Sequence, residues 1–298
     1  MVFMRKNIEF SSVGLKCRGW LYTPEENAAA RPTIVMAHGI SLSKEMGLEQ
    51  YAEKFCREGF AVLVFDYRYL GESDGEPRGR IIPEEQVEDY RNAISYARTL
   101  KEVDPDHIGI WGTSYSGGHC LQVAAFDKRV KCVVSQVPVV DCWEIAKRFL
   151  RTDILRATFQ QLIQYRESRY NGGPEAYLPV VGPPGEPCFL ASAASYEFFT
   201  DAASKVSNWK NQMTLESMEK FLEYVPGRVI DRISPTPLRM IVARQDEEAQ
   251  TDLALKAYEK ALEPKSVIII AGGHFDAYTN CFDQSSKAAI EWFKEHLL

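Results

Sequence analysis

Short apolar runs alternate with amphipathic stretches along most of the chain. TIVMAHG at residues 33–39 is β-branched and apolar until it stops at Gly39, and AVLVFDYR at 61–68 ends in a charged turn. HIGIWG at 107–112, VKCVVSQVPVV at 130–140, PLRMIVARQD at 237–246 and KSVIIIAGGH at 265–274 complete the set. None alternates strictly, so they suit strands buried on both faces, as in a parallel sheet. Helical spacing predicts helices over 48–58, 83–99, 117–126, 253–262 and 285–298. In the second, Pro83 fits a first turn while Val87, Tyr90, Ile94 and Ala97 share a face. The opening NIEFSS…LKCRGWLYTP has period two and reads as an antiparallel edge pair. Strand–helix alternation of this kind predicts an α/β fold with a mostly parallel central sheet flanked by helices.

Residues 142–233 break the rhythm. WEIAKRFLRTDILRATFQQLIQY is helical in pattern, and NGGPEAYLPVVGPPGEP follows it. A long insertion with helices and a turn-rich loop predicts a helical lid over a core made of residues 1–141 and 234–298; an insertion that only extends the scaffold is the alternative. The run at 172–187 is the expected mobile part, since glycine frees the backbone and proline stops helices. Trp143, Phe149, Phe159, Tyr165, Phe198, Phe199 and Trp209 would suit an apolar acyl group, though aromatics at this density also fill ordinary cores.

At 298 residues and 45% hydrophobic, the chain can bury one large domain with an inserted subdomain. A net charge of −6 argues against nucleic-acid binding. No apolar run approaches the roughly 18 residues of a membrane span. The opening MVFMRKNIEF lacks an apolar signal core. Seven scattered cysteines without C-x-x-C spacing predict neither a disulfide framework nor a metal or redox site, so no cofactor or metal is expected and the compartment reads as cytoplasmic.

The chemistry centres on GTSYSGG. Ser114 and Ser116 each sit in a near-miss of G-x-S-x-G, the elbow that exposes a nucleophilic serine between a strand and a helix. With Trp111 the last apolar residue of the strand, an elbow past Gly112 puts Ser114 at the apex. Ser116, Gly117 and Gly118 then open the helix, with Ser116 as packing only. The competing reading is a plain glycine-rich turn or a phosphate cradle at a helix start.

A serine hydroxyl needs a base, and the base needs a carboxylate, in the order Ser, Asp/Glu, His. Of five histidines only His274, after the last strand in IIIAGGHFDAY, has both position and order. His38 precedes the serine and is expected to orient its own loop. His107 starts a strand, His119 lies on the helix after the elbow, and His296 is in the last helix. Asp246 ends the preceding strand, where open α/β sheets assemble sites. Asp141 is its rival, Glu247 and Asp252 are weaker, and Asp276 suits the local turn. The oxyanion donors expected are the N–H groups of Tyr115 and Ile40.

With AHG, FDYRYLGESDG, the elbow, RQD and GGH in this order, the chain resembles the α/β hydrolases over nearly its whole length. FDYRYLGESDG departs from D-x-R-G-x-G-x-S, with Tyr69 where glycine is usual, which bears on loop shape. RIIPEEQVEDYRNAISYA, WGTSYSGGH and PVVGPPGEP are similar to the dienelactone-hydrolase-like group that includes fungal polyketide thiohydrolases and polyketide transferases. Dienelactone hydrolases proper use a cysteine nucleophile, and no cysteine occupies this elbow. The resemblance implies a serine hydrolase of a small-molecule ester or thioester, with a polyketide-type acyl group among the candidates. An acyltransferase using an alcohol acceptor, or a carbon–carbon bond hydrolase with the same triad, are its alternatives. A non-enzymatic binding protein fits an intact Ser-Asp-His set poorly.

Overall fold

The computed structural model describes residues 3–24 and 29–298, so Met1 and Val2 of the opening read for a leader lie outside the described residues. Strands β1 (Met4–Ser12) and β2 (Leu15–Thr23) form the expected antiparallel hairpin. Val13 and Gly14 turn it with φ of 49° and 83°, both in the left-handed region that a two-residue primed turn needs. Then follow β3 (Arg31–Ala37), α1 (Glu49–Arg57), β4 (Ala61–Phe65), α2 (Pro83–Ala97), β5 (Val103–Thr113), α3 (Tyr115–Phe126) and β6 (Val130–Gln136). After the inserted segment come β9 (Leu238–Ala243), α8 (Thr251–Lys260), β10 (Lys265–Ile270) and α9 (Phe282–Leu297).

The sheet has eight strands in the order β1-β2-β4-β3-β5-β6-β9-β10. It is antiparallel from β1 through β2 to β4 and parallel from there on. β4 is buried throughout, β3 and β6 nearly so, and β5 from Ile108 onward, as runs without alternation require. Two apolar layers, one on each face, are built by α1 and α9 on one side and α2, α3 and α8 on the other. β10 differs from expectation: as an edge strand it leaves Ile269 exposed. The run at 130–140 stops as strand at Gln136, because Val137 turns to φ 35° and Pro138 follows.

Between β6 and β9 lie α4 (Cys142–Phe149), α5 (Thr152–Tyr170), β7 (Tyr177–Leu178), α6 (Ala193–Ala203), β8 (Met213–Thr214) and α7 (Leu215–Glu223), then a 3₁₀ stretch, Pro226–Ile233. β7 and β8 pair only with each other, outside the main sheet. The helical stretch read as continuous breaks between α4 and α5. α5 buries only Leu162 and Tyr165 and exposes Ile154, Phe159 and Ile163. No helix among the described residues is long and apolar enough to cross a membrane.

The loop after β3 is fastened by a buried ion cluster. Lys44 Nζ donates to Asp66 Oδ2 at 2.9 Å, Glu45 Oε1 at 2.7 Å and Glu72 Oε2 at 2.6 Å. Asp66 also accepts the N–H groups of Lys44 (2.7 Å) and Glu72 (3.0 Å), so one carboxylate ties the loops after β3 and β4. Burial opposes the Lys44 charge, but the surrounding carboxylates hold its pKa above the usual lysine value. The ammonium thus supplies the positive charge that this acidic group would otherwise seek in a cation. In the loop after β4, Tyr69 takes φ 71°, a conformation that costs a residue with a Cβ roughly 1–2 kcal/mol and explains why glycine is usual there. Its ring lies over Gly75 and under the Arg80 guanidinium, 5.2 Å from the centroid.

The Lys44 and Asp66 side chains are both fully buried. Lys44→Met should therefore leave Asp66 uncompensated and cost about 3–5 kcal/mol of stability, read as a lower midpoint in urea unfolding.

Candidate active site

Ser114 stands between β5 and α3 with φ 59° and ψ −121°. A non-glycine residue there costs about 1–3 kcal/mol unless its surroundings enforce it. Its N–H donates to Gln136 O at 2.9 Å, and its carbonyl accepts from Val139 N at 3.0 Å and Gly118 N at 3.2 Å. Three glycines let the chain approach this closely. A Cβ on Gly112 would meet Ser116 O at 2.3 Å, one on Gly117 would meet Gln136 O at 2.9 Å, and one on Gly118 would meet Val139 O at 2.4 Å. Ser116 is fully buried and accepts the Tyr67 hydroxyl at 3.1 Å. The structure thus puts Ser114 at the apex and Ser116 in the packing behind it, and α3 starts at Tyr115, two residues earlier than the spacing predicted.

His274 arrives from the far side. Gly272, at φ 78°, makes the turn after β10; any Cβ there would lie 2.2 Å from Asp276 Oδ2. Asp276 accepts Gly273 N–H at 2.7 Å and the Asn280 amide at 2.7 Å, the local role expected for it. The Tyr278 hydroxyl meets Thr113 Oγ1 at 2.7 Å and so pins the His274 segment to the strand that carries Ser114. His274 Nε2 lies 2.9 Å from Ser114 Oγ, and Nδ1 lies 2.8 Å and 3.1 Å from the two Asp246 oxygens. A carboxylate only accepts, so Nδ1 carries the proton and Nε2 is free to accept the serine hydroxyl.

Asp246 is fixed by the loop after β9. It accepts Ala249 N–H at 2.7 Å, and its own N–H donates to Thr251 Oγ1 at 3.1 Å. Gln245 N–H donates to Gly272 O at 2.9 Å, joining this loop to the histidine turn. The rivals go elsewhere. Asp141 caps α4 by accepting Glu144 N–H at 3.0 Å, Asp252 pairs with Arg148 at 2.6 Å, and Glu247 is exposed. Burial disfavours a charged His274, yet the Asp246 carboxylate and, further off, Glu248 outweigh it and raise its pKa above 6.5.

The other histidines stay apart from Ser114. His38 Nδ1 donates to Gly39 O at 2.9 Å and so orients its own loop. His119, between Gln86 at 2.9 Å and the Tyr224 hydroxyl at 2.8 Å, is pushed down to about 3 by burial and stays neutral. His107 is exposed beside Asp104, and His296 packs on Trp292. The loop after β3 backs onto the serine: a Cβ on Gly39 would lie 3.2 Å from Ser114 Cβ. Ile40 follows Gly39, and Tyr115 opens α3, where a first-turn N–H has no intrahelical acceptor.

Ser114 is 9% exposed, His274 5% and Asp246 8%. A cleft of about 500 Å³ opens beside the site rather than on it, walled by Ser41, Leu42, Tyr69 and Trp209. The segment between β6 and β9 reaches the residues beside the site at two points. Phe198 stacks on Phe275, the neighbour of His274, at 4.5 Å, and Trp209 Nε1 donates to Ser41 O at 2.6 Å. Phe149 and Phe159, grouped with them on composition, are exposed instead. Glu248 was passed over in the sequence; it accepts two serine hydroxyls from the start of α6, and its only sequence signal is its place in the acidic run after Asp246.

Residues 14–276 match the X-Pro dipeptidyl-peptidase (S15) family. The chain is 32% identical to the quorum-quenching protein AidA of Acinetobacter baumannii, over 97% of this chain and 94% of that one. It is 31% identical to a thiohydrolase of Eupenicillium brefeldianum, over 91% and 88%. It is 30% identical to the polyketide transferase grgF of Penicillium sp., over 98% and 97%. The crystal structure of the α/β hydrolase GrgF from Penicillium sp. sh18 superposes with a TM-score of 0.85 at 27% identity, covering 99% of each chain.

Because Asp141 serves as a helix cap, Asp141→Ala should cost about 0.5–2 kcal/mol in thermal or urea unfolding, while Asp141→Asn, which caps equally well, should be near neutral.

Proposed function

We propose that this chain, which belongs to the S15 family of α/β hydrolases, is a serine acyl hydrolase that cleaves an ester or thioester of a small molecule. The observation that carries the reading is the Asp246–His274–Ser114 chain of hydrogen bonds, with the serine on an elbow. His274 Nε2 takes the Ser114 proton as Oγ attacks the acyl carbon. Asp246 holds the imidazole in the tautomer that can accept, and stabilises the cation that forms. The oxyanion is assigned to the Tyr115 and Ile40 N–H groups, the loss of one such donor being worth ~2.7–4 kcal/mol at the transition state. Collapse expels the alcohol or thiol, which leaves with the proton from His274. Water, activated by the same imidazole, then releases the acid from Ser114.

The family name describes peptide cleavage, but the relatives that span nearly the whole chain bear other names. Thiohydrolase and polyketide transferase both favour an activated acyl group, with polyketide-type acyl thioesters heading the list. The quorum-quenching relative adds small signal molecules to it. Transfer is the second reading, supported by the polyketide transferase relative: an alcohol replaces water in the last step. Product partition in the presence of added alcohols separates the two: a transferase gives mainly ester at alcohol concentrations far below that of water, where a hydrolase gives mainly acid.

Two outcomes follow. Ser114→Ala should lower kcat on the order of 10⁶-fold, whereas Ser116→Ala should keep a substantial share. Peptide mapping after a fluorophosphonate probe checks this directly, and label on Ser116 would overturn the assignment. His274 acts as base only when neutral, so kcat/KM should fall as pH drops through its raised pKa, placing the acid-side midpoint above pH 6.5. Asp246→Asn should move that midpoint down and cut kcat by ~10⁴.

A further inference from the structure

The start of α6 and the loop carrying Asp246 share an arrangement that the hydrolytic chemistry does not require. Ser192 is the N-cap of α6: its Oγ accepts Ser195 N–H at 3.0 Å and its hydroxyl donates to Glu248 Oε1. The Ser195 hydroxyl, fully buried, donates to the same oxygen at 2.8 Å. A carboxylate at a helix N-terminus also gains from the helix dipole. Glu248 lies two residues past Asp246, so this contact fastens the inserted helix to the acid loop.

One turn further along, α6 presents Phe198. Its ring stacks on Phe275 at 4.5 Å and 20° and lies 5.1 Å from Tyr278. Phe275 in turn stands edge-on to the His274 ring at 5.1 Å. Phe199, also in α6, faces Trp209 beyond the helix at 5.9 Å, and Trp209 donates to Ser41 in the loop that bears Ile40. A single segment, 192–209, therefore touches the acid loop, the histidine segment and the oxyanion loop. Among these contacts only the Glu248 tie is charged and directional. Stacked rings can slide, but two hydroxyls converging on one carboxylate oxygen cannot do so without losing hydrogen bonds.

We propose that Glu248 is a positioning residue: held by Ser192 and Ser195, it latches α6 onto the Asp246 loop and thereby sets Phe198 over the passage by which an acyl chain reaches Ser114. The proposal rests on the Ser114–His274–Asp246 reading. The latch acts on the reaction in two separable ways. Its geometry sets how a long acyl chain is seated, while an acetyl group, too short to reach α6, is indifferent to it. Its charge, like that of Asp246, favours the charged form of His274.

The test compares Glu248→Ala and Glu248→Gln with the parent protein on p-nitrophenyl acetate and p-nitrophenyl octanoate across pH. Loss of a charge-assisted latch should lower kcat/KM of Glu248→Ala on the octanoate by about tenfold or more relative to the acetate. Glu248→Gln still accepts from both serines, so it should restore most of that ratio while the acid-side midpoint moves to lower pH. Should Glu248→Ala fail to fold, Ser195→Ala, which removes one donor, takes its place with the same expected change in ratio. Equal loss on both esters, or an unchanged ratio together with an unmoved midpoint, would overturn the proposal. Fluorophosphonate labelling of the parent tells the two failures apart: no label on Ser114 sinks the triad reading itself, whereas full label with unaltered ratio and midpoint sinks the latch alone.

Discussion

The backbone of Ser114 is the constraint on which the rest of the site depends. A residue with a side chain is held at φ 59°, ψ −121° by hydrogen bonds on both of its sides, to Gln136, Val139 and Gly118. Those bonds form only because Gly112, Gly117 and Gly118 leave no Cβ between β5, α3 and the exit of β6. With the serine fixed there, every other part is placed by reference to it. Thr113, one residue back, receives Tyr278 and so sets the histidine segment, and Gly39 closes on Ser114 Cβ and so sets the loop that offers Ile40. Loosening the strand–helix approach would therefore displace the partners as well as the nucleophile.

The loops at the carboxyl ends of the strands have no ladder to satisfy their backbone, so side chains must do it. Carboxylates carry much of this work. Asp66 takes the N–H groups of Lys44 and Glu72, Asp89 takes Arg68, Asp276 takes Gly273, and Asp141 takes Glu144. Asp246 does the same for Ala249, but both of its oxygens also face an imidazole. The carboxylate proposed as catalytic thus differs from the structural ones in what remains to be satisfied after the local turn has been made.

That distinction marks what the sequence could tell. Ser114 and His274 are legible because each follows an apolar run and sits among glycines, a pattern that sharp turns at a sheet edge demand. Asp246 and Asp141 look alike, since each ends a strand between serine and histidine; only the helix that starts after Asp141 gives it a cap to serve. Tyr69 signals an altered loop, and the structure supplies the cause in its positive φ. Lys44 and Glu248 carry at most the signal of a charged run, where a lysine or a glutamate ordinarily points to water. The inserted aromatics were equally opaque. Phe159 and Phe198 occupy similar helical patterns, and only tertiary packing sends one to the surface and the other onto Phe275.

The inserted segment has two physically different attachments to the elbow. Phe221 of α7 stacks on the Tyr115 ring at 5.9 Å, Tyr224 donates to His119 behind it, and Tyr115 is 1% exposed. Burying an aromatic of that kind is worth ~1.5–3 kcal/mol, so the contact with α7 helps to hold the elbow helix. α6 meets the histidine segment instead, through Phe198 stacked on Phe275, and the acid loop through the polar tie at Glu248. Tyr115, proposed to offer an oxyanion N–H, is thus packed against α7, while the side that borders His274 is contacted by α6. On the proposed reading, residues 192–209 change what is accommodated while α7 leaves the elbow undisturbed.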